Sequence, residues 1–228
     1  MSPDDDIELA KERAGKSAAQ RVDDGMIVGL GTGSTAYYAI QALSNRIDRG
    51  FDIQGVPTSY QSHTRAKEAN IPIIDPADAQ TIHIAIDGAD GVLHDTVVKG
   101  GGGAHAREKV IASAADQFIV VVDETKIVDK LVQPIPIEVL PFARKNVVDQ
   151  IQSIGGNPKL REATEKDGPV ITDNGNLIYD CDFDHITAPD QLATSISTIP
   201  GVIEHGLFVD MVDEVHIGNE STVTVNTY

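Results

Sequence analysis

In the stretch Val97-Val98-Lys99-Gly100-Gly101-Gly102-Gly103-Ala104-His105-Ala106-Arg107-Glu108-Lys109, four consecutive glycines join an apolar strand pattern to a helix pattern. Glycine has no side chain to pack and is costly to order. Such a run indicates that another group approaches the main chain closely, or that N–H groups surround an anion. A flexible linker is the alternative, but the apolar segments on both sides argue against it. The stretch therefore predicts a strand–loop–helix unit that carries a ligand site.

Glu108 is predicted to point towards the protein interior. At 100° per residue it falls in an apolar arc, opposite a polar one. The apolar arc contains Ala104, Ile111, Ala112 and Ala115, and the polar arc contains Lys109, Ser113 and Asp116. A carboxylate that points inward is costly unless it has a chemical role or a charged partner, so a functional acid and an ion pair with an arginine both stay open. His105 leans to the polar side and is predicted to face solvent.

Length and composition favour one large domain, or one domain with a small satellite, because the chain has 228 residues of which 41% are hydrophobic. It has no run of about 18 apolar residues, so no membrane span is predicted. The acidic opening Met1-Ser2-Pro3-Asp4-Asp5-Asp6 is unlike a signal peptide. Cys181 is the single cysteine, which excludes an intramolecular disulfide and a CxxC metal or redox motif. We expect a cytoplasmic protein.

The charge balance is strongly acidic, with a formal net charge of −17 from 35 acidic and 18 basic residues. Nucleic-acid binding proteins carry a basic footprint, so a nucleic-acid partner is not expected, and neither is attraction to anionic lipid. The acidic residues are scattered, as on a solvated surface. Concentrated salt mutes their mutual repulsion, so a halophilic origin is the preferred interpretation and an ordinary acidic protein the alternative.

The loop Gly31-Thr32-Gly33-Ser34-Thr35 is predicted to hold a phosphate. It follows the short apolar strand pattern 26–30 and precedes a helix pattern that places Tyr38, Ala39, Ala42 and Leu43 inward. Hydroxyls, close backbone approach and a helix N-terminus together favour an anion. A P-loop would need a lysine that is absent here, and the dinucleotide pattern is met only loosely at Ala36 with an ambiguous acidic partner at Asp52. A small phosphate monoester fits best, and a plain tight turn is the alternative.

Two more loops are predicted at the same sheet edge. The apolar strand 82–86 ends in Asp87-Gly88-Ala89-Asp90, and the strand 118–122 is followed by Lys126. Open α/β sheets bind ligands at the carboxyl ends of their strands, so both acids and the cation are site candidates. An Asx-turn without function is the alternative for the two aspartates. The alternation of strands and helices predicts a Rossmann-like open parallel sheet with helices on both faces.

The regular strand–helix alternation ends near Leu131. An edge-like strand with several prolines is predicted over 135–140, and the patterns after it resemble a ferredoxin-type β-α-β-β-α-β subdomain. We predict an α/β catalytic domain from residues 1–130 and 207–228 and a small α+β subdomain over 131–206. The other predicted elements are helices over 7–23, 60–70, 143–154 and 190–199, strands over 53–57, 71–74, 159–164 and 202–209, a hairpin over 170–179 with an Asn174-Gly175 turn, and tail strands over 214–217 and 222–225.

The predicted groups suit proton shuttling on a phosphorylated sugar, as in aldose–ketose isomerisation. They also resemble, in order along the chain, the motifs of the type A ribose-5-phosphate isomerase family. The matching segments are Gly29-Leu30-Gly31-Thr32-Gly33-Ser34-Thr35-Ala36, Asp87-Gly88-Ala89-Asp90, Lys99-Gly100-Gly101-Gly102, Arg107-Glu108-Lys109 and Lys126. The segments Pro136-Ile137-Glu138-Val139, Asn174-Gly175-Asn176 and Gly206-Leu207-Phe208 extend the resemblance over nearly the whole chain.

The resemblance implies a role for each candidate residue. Glu108 is the expected base, Lys99 and the amides after it stabilise an enediolate, and Asp87 with Asp90 serve ring opening and proton transfer between oxygens. The implied substrate contacts are Thr32, Gly33, Ser34, Thr35, Gly88, Ala89, Gly100, Gly101, Gly102, Lys126 and Lys11. The resemblance also implies no metal or organic cofactor, a small-molecule sugar phosphate as partner, and a homodimer or homotetramer.

Two rival functions stay open. A sugar-phosphate-sensing regulatory domain of the same fold would dispense with the base, and it would carry a helix-turn-helix for which we expect no room before the first strand. A related acyl-CoA transferase would use an inward glutamate as a nucleophile and would be larger.

Overall fold

A computed structural model of the chain describes residues 3–228, with side chains from residue 4. Met1 and Ser2 of the acidic opening lie outside the described residues. The described chain divides into two compact units. The first comprises residues 3–89, 107–127 and 211–228, and the second comprises Asp90–Ala106 and Val128–Asp210. The domain boundaries predicted at 130/131 and 206/207 stay a prediction.

The helices and strands alternate through the first half of the chain, as expected, except that three strands follow one another before the fourth helix. In order they are α1 (Pro3–Ala19), β1 (Ile27–Leu30), α2 (Ser34–Ile47), β2 (Gln54–Pro57), α3 (Tyr60–Glu68), β3 (Ile82–Asp87), β4 (Gly91–Leu93), β5 (Thr96–Val98), α4 (His105–Ala114), β6 (Ala115–Asp123), β7 (Ile135–Val139), α5 (Arg144–Ser153), β8 (Gly156–Leu160), β9 (Leu177–Phe183), α6 (Pro189–Ser197), β10 (Val202–His205), β11 (Leu207–Phe208), β12 (Glu214–Gly218) and β13 (Val223–Thr227). Within residues 3–228, no helix is long and apolar enough to cross a membrane.

The first unit is built on a six-stranded sheet of order β13-β12-β6-β3-β1-β2. All neighbours pair in parallel except β12 and β13. The predicted open parallel sheet is therefore confirmed, and the two tail strands do join it. The strand order reverses at β1, which has β2 on one side and β3 on the other. Open α/β sheets bind ligands in the crevice at such a switch point, at the carboxyl ends of the strands.

Helices cover both faces of this sheet. On one face, Val28, Ile84 and Val121 pack in a buried cluster with residues of α1 and α2, including Ala14 and Leu43. On the other face, α4 lies so close to β1 that a Cβ on Gly29 would sit 2.5 Å from Cγ2 of Ile111. A larger residue at position 29 would clash with Ile111, so this glycine allows α4 to pack closely on β1.

The second unit contains an antiparallel four-stranded sheet of order β10-β7-β9-β8, which carries α5 and α6. This is the predicted ferredoxin-like β-α-β-β-α-β arrangement. Its first and last strands in the chain, β7 and β10, are neighbours in the sheet. A small antiparallel sheet of order β11-β5-β4 completes the unit. Two strands of this sheet, β4 and β5, were not predicted, because each has only three residues. The chain turns between them at His94, which has a φ of 56°.

The prediction of an edge strand at 135–140 was wrong, since β7 is buried and pairs with both β9 and β10. Pro136 is tolerated in this central strand for a local reason. Its carbonyl accepts from Gly206, and a residue in an antiparallel strand directs its N and its C=O towards the same neighbour. That neighbour, β10, already ends at His205. The N–H that Pro136 lacks would therefore point to a place where β10 no longer offers an acceptor.

Several predicted boundaries were also wrong. The helix predicted over 7–23 ends at Ala19, and the strand predicted over 159–164 is β8, which ends at Leu160. The strand predicted over 71–74 is reduced to one isolated bridge between Gly55 and Ile73. The strand predicted over 202–209 is interrupted at Gly206, where its two parts enter different sheets.

Candidate active site

The loop after β1 presents the N-terminus of α2 at the switch point of the sheet. The N-cap of α2 is Gly33, whose φ of 99° favours glycine, and its helix begins at Ser34. No acidic residue occupies the first turn. The first N–H groups of a helix have no acceptor within the helix, and together with the helix dipole they attract anions. This end of α2 can hold a phosphate group.

A buried hydroxyl network supports this loop from behind. Thr32 Oγ1 donates to Ser59 Oγ at 2.7 Å and lies 2.9 Å from Thr58 Oγ1. Thr58 is 2% exposed and itself donates to the carbonyl of Leu30 at 3.1 Å. The Thr32 hydroxyl thus holds the loop in place, while Ser34 stays exposed. Sequence reasoning missed Thr58 and Ser59, although they directly follow β2 at the same edge of the sheet.

Arg65 adds a positive charge beside the loop. Its Nη1 donates to the carbonyl of Gly33 at 2.6 Å, and its guanidinium lies 4.9 Å from the ring centroid of Tyr37. Gln61 Oε1 accepts the N–H of Gly33 at 3.1 Å. Both side chains belong to α3, whose predicted pattern contained no signal for this contact. They fix the peptide groups on both sides of the N-cap.

Asp87 ends β3 and is tied to the same loop. Its side chain is 3% exposed, and its Oδ1 accepts from the N–H of Thr32 at 3.0 Å and from the N–H of Gly88 at 2.7 Å. A Cβ on Gly31 would lie 2.3 Å from this oxygen. The carboxylate therefore requires glycine at position 31, and it joins the candidate acid to the candidate phosphate loop.

Glu108 lies in the first turn of α4 and is 6% exposed, so the predicted inward orientation is confirmed. It stands one turn before Ile111, the residue that packs on Gly29 of β1. The helix of a parallel crossover runs antiparallel to its strands, so its first turn lies at their carboxyl ends. Glu108 therefore lies at the same edge of the sheet as Asp87.

The two candidate lysines of the first unit differ in their surroundings. Lys126 is half-buried in a single 3-10 turn, Glu124–Lys126, directly after β6. Lys11 of α1 donates to Glu8 at 2.7 Å, and Tyr38 of α2 donates to the other oxygen of Glu8 at 2.8 Å. The bonds from Lys11 and Tyr38 lower the pKa of Glu8, and Glu8 raises the pKa of Tyr38 to about 12. In this structure Lys11 is paired with Glu8.

In the second unit, Lys99 directly follows β5 at the start of the glycine loop. It is 3% exposed, and its Nζ lies 5.7 Å from the ring centroid of Phe208. Its backbone N–H donates to the carbonyl of Gly206 at 2.8 Å. A Cβ on Gly206 would lie 2.1 Å from the carbonyl oxygen of Lys99, which requires glycine there. The ammonium is therefore positioned by the β5–β11 pair.

Asp90 binds the glycine loop rather than the loop that Asp87 binds. Its Oδ2 accepts from the N–H of Gly101 at 2.7 Å, and its own N–H donates to the carbonyl of Val98 at 2.8 Å. Asp90, Gly101 and Gly102 are all exposed. The two aspartates of one short turn thus orient two different loops. Between them, Gly88 and Ala89 are half-buried.

The prediction that His105 faces solvent was wrong, since this side chain is 0% exposed. His105 is the first residue of α4, and the glycine loop folds over its ring. A Cβ on Gly100 would lie 2.7 Å from Nδ1 of His105. A helical wheel describes neighbours along a helix, and it does not describe a loop that returns over the first turn.

Within the first unit the structure brings together Asp87 and the loop Gly31–Thr35, with Glu108 at the same edge. Within the second unit it brings together Asp90, Lys99 and the loop Gly100–Gly102. Buried carboxylates, a buried ammonium and amide donors are the groups that proton transfer through an anionic intermediate requires. A helix N-terminus suits a phosphate on the reacting molecule.

Comparison with known proteins finds chains of similar sequence and structure. Residues 54–222 match the family model of ribose 5-phosphate isomerase A (phosphoriboisomerase A). The chain is 53% identical over 220 residues to ribose-5-phosphate isomerase A of Haloarcula marismortui, covering 96% of each protein.

Solved structures of proteins with the same name are also similar to this chain. The structure superposes with a TM-score of 0.94 on a D-ribose-5-phosphate isomerase in complex with phospho-erythronic acid, at 43% identity, covering 97% of this chain and 99% of that one. The ribose 5-phosphate isomerase A of Methanocaldococcus jannaschii gives a TM-score of 0.93 at 40% identity, covering 100% of both chains.

Proposed function

The chain belongs to the ribose 5-phosphate isomerase A family, and we propose how its residues interconvert D-ribose 5-phosphate and D-ribulose 5-phosphate. The protein is an aldose–ketose isomerase. One observation carries the residue-level proposal. A buried carboxylate, Glu108, lies at the sheet edge that also presents Asp87 and the N-terminus of α2.

The phosphate of the substrate binds at the N-terminus of α2. Amides and hydroxyls of Ser34 and Thr35 donate to it, and the N–H of Gly33 would exchange its bond to Gln61 for one to the phosphate. Thr32 is held by Thr58 and Ser59 and keeps the loop in shape. The positive end of the helix dipole and the nearby Arg65 favour the doubly charged group.

Glu108 is the base of the reaction. It removes the proton from C2 of the open-chain aldose, which leaves an enediolate, and it then returns a proton to C1. Burial suits this role because a general base must be held within hydrogen-bond reach of the proton that it removes. The first turn of α4 holds the side chain on a rigid element.

Lys99 and the amides of the glycine loop stabilise the enediolate. Lys99 supplies a positive charge from a buried position beside Phe208, where electrostatic interactions are stronger than in water. Gly100, Gly101 and Gly102 supply the backbone of this oxyanion site, although the N–H of Gly101 is bound by Asp90.

Asp87 and Asp90 handle the oxygen-bound protons, which means opening of the sugar ring and transfer between O1 and O2. Gly88 and Ala89 contact the substrate between them. Lys126 contacts the substrate from the end of β6. Lys11 assists the phosphate, for which it would exchange its bond to Glu8 for one to the ligand.

The whole protein acts on a small-molecule sugar phosphate in the cytoplasm, without a metal or organic cofactor, as a homodimer or homotetramer. It is not expected to bind nucleic acid or a membrane. The acidic surface is an adaptation to salt, in agreement with the halophilic relatives of the chain.

The test is an isomerase assay on purified protein treated with a chelator, in concentrated KCl, with ribose 5-phosphate against other sugar phosphates. We expect turnover of ribose 5-phosphate at the highest kcat/KM, with no loss after chelation. Tight binding of ribose 5-phosphate without turnover would instead support the sensing domain. Phospho-erythronic acid, which one relative binds, is a suitable inert probe for binding.

A further inference from the structure

The glycine loop of the second unit is clamped from one side by a single arginine. Nη1 of Arg161 donates to the carbonyl of Gly100 at 2.8 Å and to the carbonyl of Gly101 at 3.1 Å. Arg161 directly follows β8, outside the segments that carry the family resemblance. The side chain is 17% exposed, so the clamp is largely shielded from water.

Arg161 is itself held by Asp180. Its Nε donates to Oδ2 of Asp180 at 2.8 Å, and its Nη2 donates to Oδ1 of the same carboxylate. Such a bidentate pair fixes the plane of the guanidinium as well as its position. Asp180 lies on β9, and the backbone N–H of Arg161 donates to Ile178 of the same strand at 2.9 Å. The clamp is therefore built on the rigid sheet of the unit.

The clamp decides which way the loop amides point. In a trans peptide the C=O of one residue and the N–H of the next are directed oppositely, and the described chain contains no cis peptide. Since Arg161 binds the carbonyls of Gly100 and Gly101, the N–H groups of Gly101 and Gly102 are directed away from it. The N–H of Gly101 meets Asp90 on that side, at 2.7 Å.

The N–H of Gly103 is used within the loop, because it donates to the carbonyl of Gly100 at 3.0 Å. Gly102 is exposed, and its N–H is directed away from Arg161, as is that of Gly101. Its amide is therefore the donor of the loop that the clamp directs outward. A cation at the carbonyl also polarises the peptide group, which makes the N–H of that peptide a stronger donor.

We propose that Arg161, held by Asp180, is a positioning residue for the isomerase reaction: it aims the amide of Gly102 at the oxyanion of the enediolate and fixes the carboxylate of Asp90 through Gly101. This inference rests on the proposed function. Arg161 acts through the loop and does not touch the substrate. Its loss should weaken stabilisation of the intermediate more than binding of the ground state, so kcat should fall while KM changes little.

The test compares Arg161→Met and Arg161→Lys with a matched control on the same two strands. Lys159 of β8 pairs with Asp182 of β9 at 2.7 Å and is exposed, so Lys159→Met removes a cation from this sheet without touching the loop. Removal of one oxyanion donor costs about 100- to 1,000-fold in kcat. A donor that is only misdirected should cost less, so we expect Arg161→Met to lower kcat about 10- to 100-fold, with KM changed less than about 3-fold. Lys159→Met should keep the wild-type kcat.

A chemical rescue separates positioning from simple loss of structure. In Arg161→Ala, millimolar guanidinium chloride should restore part of kcat, whereas KCl at equal ionic strength should not. Arg161→Lys keeps the charge but not the fork and should show an intermediate kcat. Wild-type kcat in Arg161→Met, or equal losses in Arg161→Met and Lys159→Met, would overturn the proposal. An inactive wild type would refute the proposed function instead.

Discussion

The N–H of Thr32 donates to Oδ1 of Asp87 at 3.0 Å, so one hydrogen bond joins the candidate phosphate loop to a buried acid at the end of the neighbouring strand. The two residues are 55 positions apart in the chain. They meet because β1 and β3 are parallel neighbours at the switch point of the sheet. Disturbing the loop should therefore disturb the acid as well.

Gly31→Ala tests this coupling. Its Cβ would lie 2.3 Å from Oδ1 and 2.6 Å from Cα of Asp87, so the loop and β3 must separate. We expect a loss of unfolding free energy of about 1–3 kcal/mol, measured by denaturant unfolding. Gly88→Ala is the control for stability, because its Cβ would meet no atom nearer than 3.8 Å. Equal stability of the two variants would contradict the close approach.

Glu108→Gln should lower kcat about 100- to 10,000-fold, which is the usual contribution of a general base. The amide keeps the shape of the side chain, so the affinity for phospho-erythronic acid, measured by calorimetry, should change little. Glu68→Gln on the exposed end of α3 is the control and should keep full activity. A Glu108→Gln variant with wild-type turnover would remove the assignment of the base.

Ser34→Ala and Thr35→Ala should chiefly raise KM, by about 3- to 10-fold each, since each removes a donor to a charged group that binds ground state and transition state alike. Steady-state kinetics on ribose 5-phosphate measures this. Ser44, further along α2, donates to the carbonyl of Ala69 at 2.8 Å, so Ser44→Ala should leave KM unchanged. If KM stays the same in both loop variants, the phosphate binds elsewhere.

His216 and Glu214 should make the first unit less stable in mild acid. His216 is 1% exposed, its Nε2 lies 2.9 Å from Glu214, and its Nδ1 lies 2.8 Å from Ser17. Burial lowers the pKa of His216, although Glu214 partly opposes this. The unfolded chain therefore binds more protons than the folded one below the ordinary histidine pKa of about 6.5, and the unfolding free energy falls as the pH drops through that value.

The Glu214 carboxyl acts in the same direction at lower pH. Burial would raise its pKa, but the bonds from His216 and Arg21 outweigh burial and lower it. Its stabilising contribution is present above about pH 4.5 and is lost as the pH falls towards the folded value. His216→Gln should flatten the dependence of unfolding free energy on pH between about 7 and 5. His185→Gln, at an exposed position, should not, and an unchanged slope in His216→Gln would argue against this account.

Stability should increase with salt. The net charge of −17 produces self-repulsion that counterions screen over about 10 Å at 0.1 M salt and about 3 Å at 1 M. We expect the melting temperature, measured by circular dichroism, to fall when KCl is dialysed away and to recover when KCl returns. The same melting temperature at both salt concentrations would contradict the halophilic interpretation.

Local patterns predicted most of the fold because each element carried its own signal. The apolar run 82–86 became β3, the hydroxyl-rich loop preceded α2 as expected, and Glu108 was placed inward by the period of a helix alone. The ferredoxin-like order of elements was also visible in the sequence. Short elements failed, as the three-residue strands β4 and β5 show, because three residues carry too little periodicity to be recognised.

The contacts that hold the site together were not predictable in this way. Arg65, Thr58 and Ser59 support the loop after β1, and Arg161 clamps the glycine loop, yet none of these residues lies in the motif that it supports. His105 was misplaced for the same reason, since the loop that buries it precedes its helix and folds back. The hydrophobic period of one segment contains no information about which side chain of another segment contacts it.

The sequence by itself therefore determined most of the longer strands, the helices and the loops between them, and which residue types stand where strands end, because hydrophobic period and backbone preference are local properties. Only the tertiary structure decided which loops meet, which amides are directed outward and which charges are buried. Those features depend on strand order and on side chains from distant segments, and their energies arise when water is excluded between them.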